Sequence, residues 1–289
     1  MPAGVFTPAA GMPWTVQGPF RMRPGLSRLA AEGAPPGALF HRDALAPAYA
    51  AAKRTVLAHQ PARAQVGEAD PAVLAAIAEA YARETGVLLA PEADALARGL
   101  QEDFVILHDE PVPDGATGTL RTRFLSVCFP SNWVPQEKQG LDFLAIHAPV
   151  ADNALLLAGA RGIVDMAFRQ APMLRHVWLL TPGGELPQHP DTRQVRWEDA
   201  LARAEAGSGR LIEQVFFRVE RQTTLPLPAL RRGVFFIRVM VCPLAQVLAV
   251  EPRRAEALRA ALASMTDAVV AYRGMGAVHA RLCAELATA

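Results

Sequence analysis

The chain has 289 residues, 51% of them hydrophobic, which is enough for one large domain or two ordinary ones with a substantial core. Its 29 basic and 28 acidic residues nearly cancel, so no net field favours nucleic acid or an anionic membrane as a partner. Cys128, Cys242 and Cys283 are odd in number and widely spaced, so they predict neither a zinc site nor a disulfide framework. There is no leader-like segment and no run of about 18 apolar residues, so we expect a cytoplasmic protein without a membrane span.

The first 43 residues combine prolines and glycines with isolated aromatic side chains, and they predict an irregular arm laid over the domain. Residues 44–289 are expected to form a single α+β domain. Its first part has helical propensity, and Asp70-Pro71 supplies an N-cap followed by proline at the first helical position. The helices predicted in this part cover residues 44–59, 70–86 and 91–100.

From residue 103 onwards, short apolar and alternating runs replace the helical spacing. The predicted strands cover residues 104–107, 119–129, 176–180, 213–222 and 233–241, with turns over 109–118 and 225–228. One helix over residues 152–170 is inserted among them, and helices over 243–250, 252–263, 266–273 and 276–286 close the chain. This order favours an antiparallel α+β layout over repeated βαβ units.

A single histidine, His147, stands between Ile146 and Ala148-Pro149 in the segment CFPSNWVPQEKQGLDFLAIHAPV of residues 128–150. Neutral histidine is the commonest protein ligand for metals, so an imidazole held by apolar, proline-restrained backbone could bind a metal or haem iron. The same pattern also fits a core histidine bonded to backbone. Taken alone, the segment favours that structural role.

Seven short motifs in a fixed order carry a resemblance to a known family. They are residues 101–104 (QEDF), 128–133 (CFPSNW), 137–140 (EKQG), 146–150 (IHAPV), 218–223 (RVERQT), 234–238 (VFFIR) and 272–274 (YRG). From about residue 13 to residue 286, the chain resembles the haem-dependent oxidative N-demethylase family. One departure is at residues 175–178: the family usually has Arg-x-Asn-Trp, and this chain has Val177 in place of the asparagine.

The resemblance implies a PAS-like antiparallel sheet, with helices at both ends of the chain, that binds haem b. It also implies a monooxygenase that uses O2 to oxidise a small secondary amine such as dimethylamine and releases formaldehyde. Electrons would come from NADPH through separate flavin and iron–sulfur reductase subunits, since this chain has no G-x-G-x-x-G motif and no cysteine cluster. A haem-binding sensor or carrier without catalysis on the same fold is the alternative, and a protein that binds no cofactor is a third possibility.

The resemblance also suggests roles for individual residues, each with a structural alternative. His147 is the expected axial ligand of the iron, with His176 as its rival. Trp133 would form a wall over the porphyrin or simply pack in the core, and Trp178 would lie at the haem edge or in the sheet. Lys138 would pair with a propionate or with Glu137. Glu220 would attract a protonated amine while Arg218 or Arg221 holds propionates, unless these three form a cross-strand salt bridge.

Overall fold

A computed structural model describes residues 4–29, 37–110 and 118–288 of the chain. Within these residues, seven strands form one antiparallel sheet in the order β1-β5-β6-β7-β3-β4-β2. The strands are β1 (Ser27–Arg28), β2 (Gln65–Gly67), β3 (Asp103–Glu110), β4 (Thr119–Ser126), β5 (Met173–Thr181), β6 (Phe216–Leu227) and β7 (Arg232–Pro243). Because the five long strands are antiparallel and the helices are segregated along the chain, the α+β prediction is confirmed.

Twelve α-helices accompany the sheet in the described part of the chain. They are α1 (Ala46–His59), α2 (Pro61–Ala64), α3 (Pro71–Thr85), α4 (Ala93–Gly99), α5 (Phe143–His147), α6 (Ala154–Ala158), α7 (Ala160–Asp165), α8 (Trp197–Ala206), α9 (Leu244–Leu248), α10 (Arg253–Ala263), α11 (Asp267–Tyr272) and α12 (His279–Leu286). Helices α5, α6 and α7 lie between β4 and β5, and a π-helical turn (Met166–Gln170) continues α7.

Helix α3 shows how the sequence sets an element and its packing. The Asp70 carboxylate accepts from Ala72 N, and the helix ends at Gly86, whose φ of 72° suits glycine. Between these ends, Val73, Ile77 and Tyr81 recur at helical spacing and are buried against the sheet. Each such side chain contributes about 1.5–3 kcal/mol on burial. The predicted helix over residues 70–86 is therefore confirmed.

Two predicted elements differ from the structure for local reasons. The predicted helix over residues 152–170 is divided at Gly159, which ends α6 and precedes α7. Strand β6 continues through Pro226, which was predicted to lie in a turn. Strand β5 pairs with β6 only as far as Thr223. At Pro226 the edge of β6 that faced β5 is therefore no longer paired with it, and a residue without an N–H is tolerated there.

Two other predictions fall partly outside the described residues. The turn predicted over residues 109–118 contains 111–117, and the arm over residues 1–43 contains 1–3 and 30–36. The single-domain division at residue 44 remains a prediction.

The sheet has two faces, which we name by the side chains they carry. The insert face carries Arg175, Arg218 and Glu220, and the π-helical turn packs against it through Phe168. The terminal face carries Trp178, Val219 and neighbouring residues, and it is covered by α3 and by the C-terminal helices α9, α10 and α12. Both faces are therefore packed, and the candidate site lies on the insert face.

Candidate functional site

Side-chain alternation along β6 separates the predicted site residues into two groups. Arg218 and Glu220 lie on the insert face, whereas Arg221 lies on the terminal face. Trp178 is paired with Val219 and therefore also lies on the terminal face. The structure thus does not bring Arg221 or Trp178 together with Glu220.

The carboxylate of Glu220 is held at a defined orientation by two neighbours. Ser131 Oγ donates to Oε1, and Gln222 Nε2 donates to Oε2 over 2.7 Å. Arg218 Nε donates to Ser131 Oγ over 2.8 Å, which leaves the hydroxyl proton of Ser131 for Glu220. Although Glu220 is only 8% exposed, each carboxylate oxygen keeps a second lone pair. The protein therefore orients Glu220 and leaves it able to accept from a ligand.

Arg218 connects this carboxylate to two loops. Its side chain is fully buried, and the guanidinium donates to the carbonyl oxygens of Glu185 over 3.0 Å, Leu186 over 2.9 Å and Phe129 over 3.2 Å. Burial lowers the pKa of Arg218 to about 10, a value that keeps it charged at neutral pH. All these partners are protein atoms, and the contact with a propionate remains a prediction.

Ser131 belongs to a tight corner that sequence reasoning left without a role. Asn132 has a φ of 61°, a conformation that asparagine tolerates better than most residues. Its N–H donates to Gln188 O over 2.9 Å, and Gln188 N donates to Pro130 O over 3.0 Å. The Pro-Ser-Asn sequence was the available signal, since it combines a turn former with a small hydroxyl donor.

His147 ends helix α5, a short element absent from the predicted ones. Asp142 caps the helix at its N-terminus, since its carboxylate accepts from Ala145 N over 2.9 Å. The helix ends at His147 because Pro149 has no N–H with which to continue it. His147 Nδ1 lies 2.7 Å from Phe143 O. A carbonyl oxygen only accepts, so Nδ1 carries the proton and Nε2 carries a lone pair. This is the tautomer that a metal ligand needs.

Two cations lie near this imidazole. Burial lowers the pKa of His147, the bond to Phe143 O raises it, and the charges of Arg175 and Lys138 lower it further, so the ring is neutral at pH 7. Arg175 Nε is buried without a hydrogen-bond partner. In the described parts of the chain, neither Arg175 nor Lys138 joins an ion pair, so the expected Lys138–Glu137 pair is not among those formed. The charge of Glu220 acts on Arg175, but neither cation has an ion-pair partner among the described residues, so both suit an anionic group near His147.

Apolar side chains around this cluster are unusually exposed. Leu144 on α5 and Leu155 on α6 are 50% and 65% exposed, and the two helices contact each other. Trp133 is half-buried and packs against the apolar clusters of the insert face. A flat apolar group bound against these side chains would remove their surface from water, a favourable change.

An open cavity of about 410 Å³ adjoins the Glu220 cluster. Ser131 and Leu179 line one side, and Tyr272 with Arg273 lines another. Burial raises the pKa of Tyr272, and Glu220 is close enough to raise it further. Ser131 is therefore the member of the Glu220 cluster that lines this cavity, and Tyr272 is a further residue near Glu220 whose place the sequence did not predict.

The terminal-face residues have other partners. Arg221 donates to Leu39 O over 3.1 Å and also to Ala38 O, so it fastens the N-terminal segment to the sheet. The ring of Trp178 packs in the core, with the guanidinium of Arg273 4.7 Å from its centre. Their predicted contacts with a cofactor remain predictions.

His176, the rival of His147, also lies on the terminal face. Burial lowers its pKa to about 4, helped by the charges of Arg221 and His41. Because the pKa of His176 is lower in the folded state than in the unfolded state, the unfolded protein binds the proton at a higher pH. We therefore expect the free energy of unfolding to fall as the pH falls from about 6.5 to about 4, by less than the ~1.4 kcal/mol per pH unit of a fully desolvated group.

Urea unfolding at several pH values measures this effect. His176→Phe is expected to lose part of the pH dependence, whereas replacement of the exposed His59 by Phe should keep the wild-type slope. Equal slopes in wild type and His176→Phe would contradict the assignment.

The described residues contain neither a clustered metal site nor a helix that could cross a membrane. In the ranges 4–29, 37–110 and 118–288, no three histidine, cysteine or acidic side chains are grouped as a metal would require. No described helix has both the length and the apolar character needed to cross a membrane.

The fold and the site define an antiparallel α+β protein that presents an imidazole lone pair near two cations, neither of which has an ion-pair partner among the described residues. A family model described as haem-dependent oxidative N-demethylase, alpha subunit-like, matches residues 89–283. The match covers more than half of the chain, so the chain belongs to this family. No protein with a curated description matches it. The family's description implies haem dependence, oxidative chemistry and a multi-subunit assembly.

The matched range has consequences for both the site and the N-terminal part. It contains all the predicted site residues, from Trp133 to Arg221. It begins at residue 89 rather than at about residue 13, so helices α1 and α3 lie outside it.

Proposed function

We propose that this chain is the haem-binding subunit of an oxidative N-demethylase that acts on a small secondary amine such as dimethylamine. The observation that carries the proposal is the lone pair of His147 Nε2 near Arg175 and Lys138, two cations without an ion-pair partner in the part of the chain that the structure describes. Neutral histidine is a common axial ligand of haem iron, and cations suit propionates. The PAS-like description of the sheet remains part of this proposal, and the antiparallel order is compatible with it.

The residues present fit haem b. His147 would ligate the iron through Nε2, and the Nδ1–H bond to Phe143 O would fix the tautomer and increase the basicity of the ring. Arg175 and Lys138 would pair with the propionates, while Trp133 and Leu144 would pack against the apolar edge. Haem b, when bound, supplies the oxidative chemistry with dioxygen, and the protein supplies orientation and charge.

Glu220 would select and position the amine. A secondary amine is protonated at neutral pH, and a carboxylate in a water-poor site binds such a cation strongly. Ser131 and Gln222 hold the two oxygens of Glu220, so the bound N–H group would be fixed relative to the insert face. In the balanced reaction, dimethylamine, O2, two electrons and two protons give methylamine, formaldehyde and water.

The electrons would come from outside this chain. NADPH would supply them through separate flavin and iron–sulfur reductase subunits, in keeping with the multi-subunit family. The sequence has neither a dinucleotide-binding glycine motif nor a cysteine cluster.

The ligand assignment is tested by adding haem to purified protein and recording absorption spectra in the oxidised and reduced states. His147→Ala is expected to shift the Soret band and to weaken haem binding at least about tenfold, because a direct iron bond is lost. His59→Ala, which removes an exposed histidine at the end of α1, is the control and should match wild type.

Unchanged haem loading and an unchanged Soret band in His147→Ala would overturn the assignment. A wild-type protein that stays colourless with added haem would instead favour a protein that binds no cofactor.

A second candidate function is favoured by Val177. It pairs with Glu220 across β5 and β6 and so lies beside the carboxylate, where the resemblance leads one to expect asparagine. Valine removes a donor and an acceptor at that position, which would suit a haem-binding sensor or carrier without catalysis. Formaldehyde release from dimethylamine with NADPH and a reductase would favour the enzyme, and gas binding without turnover would favour the sensor.

A further inference from the structure

A second cavity, of about 440 Å³, lies apart from His147 and Glu220. Its walls include the C-terminal end of α1 with Val56 and His59, and the loop that carries Pro187 and His189. Its floor is mainly apolar and includes Val127. Cys128 also lines it, but burial raises the pKa of this thiol to about 12, so the sulfur stays protonated and unreactive.

The imidazole of His189 is fixed in this wall with a defined proton position. Asp191 N donates to His189 Nδ1 over 3.2 Å, so Nδ1 accepts and Nε2 of the neutral ring carries the hydrogen. His189 is 5% exposed, and its Nε2 has no hydrogen-bond partner. A buried N–H without an acceptor costs about 1–3 kcal/mol. His189 lines the cavity, so a ligand acceptor that reaches its Nε2 would remove that cost.

The charges around the cavity favour an anion as this acceptor. Arg63 and Arg193 line it. The charges of Asp191, Arg63 and Glu137 act on His189, but of these three residues only Arg63 lines the cavity. Glu185 also lines the cavity, but its Oε2 packs directly against the Cα of Gly183, in the space that the Cβ of any other residue would occupy. Gly183 lines the first cavity and not this one, so the carboxylate of Glu185 lies towards the first cavity.

We propose that this second cavity binds a small organic anion, with its carboxylate on His189 Nε2–H, Arg63 and Arg193 and its apolar part on Val56, Val127 and Pro187. Three donors at one end match a carboxylate, which accepts several charge-assisted hydrogen bonds. The apolar floor distinguishes such a ligand from a fully hydrated inorganic anion. The inference is independent of haem and of the proposed demethylation.

Titration calorimetry with benzoate, benzyl alcohol and inorganic phosphate tests the proposal on the purified full chain. Benzoate is expected to bind at least about tenfold more tightly than either of the others, because it alone has both the charge and the apolar ring. His189→Phe and Arg63→Ala should each weaken benzoate binding by about tenfold or more. Arg253→Ala, which removes an exposed arginine of α10, should leave it unchanged.

A second measurement keeps the test decisive if a variant folds poorly. In wild-type protein with ¹⁵N-labelled histidine, benzoate should shift the Nε2 resonance of His189, and benzyl alcohol should not. Equal affinity for benzoate and benzyl alcohol, tighter binding of phosphate than of benzoate, or no saturable benzoate binding at about 10 mM would each overturn the proposal. Loss of haem binding, by contrast, would leave it intact.

Discussion

Lys53→Met is expected to lower the free energy of unfolding by about 3–5 kcal/mol, although the change keeps the length and apolar stem of the side chain. Lys53 is fully buried, and its Nζ donates to Glu102 O over 2.6 Å. Nζ also lies 3.0 Å from Asp103 Oδ1 and forms an ion pair with it. Because Oδ1 has no hydrogen bond within the described residues, the attraction between the two groups is mainly Coulombic. Without Lys53, the buried carboxylate of Asp103 would remain uncompensated.

Guanidinium chloride unfolding measures the loss, and two further variants identify its cause. Arg54→Met changes the neighbouring exposed cation of α1 and is expected to cost less than about 0.5 kcal/mol. The double variant Lys53→Met with Asp103→Asn removes both charges and keeps an acceptor for Phe129 N, which now donates to Asp103 Oδ2 over 2.7 Å. It should be more stable than Lys53→Met alone. A double variant that is less stable than the single one would show that the cost does not come from an unpaired charge.

The same residue shows where sequence patterns stop being informative. Lys53 lies in an alanine-rich helical segment, and a lysine there resembles any solvent-facing residue of a helix. Its burial depends on the loop at residues 101–103, almost 50 positions away, which supplies both the carbonyl and the carboxylate. Periodicity reports local structure only, so helix α3 was predictable from its caps and spacing, whereas the partner of Lys53 was not.

Hydrophobic patterns predicted the strands that are long enough to show them. The five long strands and their antiparallel arrangement were predicted, but β1 and β2 have two and three residues and show no alternation. Helix α5 has five residues and was missed for the same reason. A short element is defined by what it packs against, which one sequence does not contain.

Sequence patterns also predicted only part of the candidate site. Alternation along β6 correctly places Arg218 and Glu220 on one face and Arg221 on the other. It cannot give the register of β6 against β5, so it did not reveal that Trp178 lies with Val219 and Val177 with Glu220. Ser131 and Gln222 gain their place only through contacts with Glu220.

Glu220→Gln is expected to lower kcat/KM for dimethylamine by about a hundredfold, mainly through a higher KM, while haem loading is retained. The change removes the negative charge that would bind the protonated amine and preserves the shape of the side chain. Ser131 can still donate to the amide oxygen, and the amide of Gln222 can turn its oxygen towards the new donor, so the fold has little to lose. Formaldehyde release with NADPH and a reductase over a range of dimethylamine concentrations measures both constants.

Glu213→Gln is the control for this prediction. Glu213 precedes β6 and is exposed, and among the described residues its carboxylate accepts a hydrogen bond only from Ser208 Oγ. That control should keep wild-type kinetics. Ser131→Ala, which frees one oxygen of Glu220 but leaves its charge, should lower kcat/KM by less than Glu220→Gln does, because only the orientation of the carboxylate is relaxed. An unaltered KM together with a lower free energy of unfolding in Glu220→Gln would contradict the prediction. Glu220 would then be a structural partner of Arg218 and would not bind the amine.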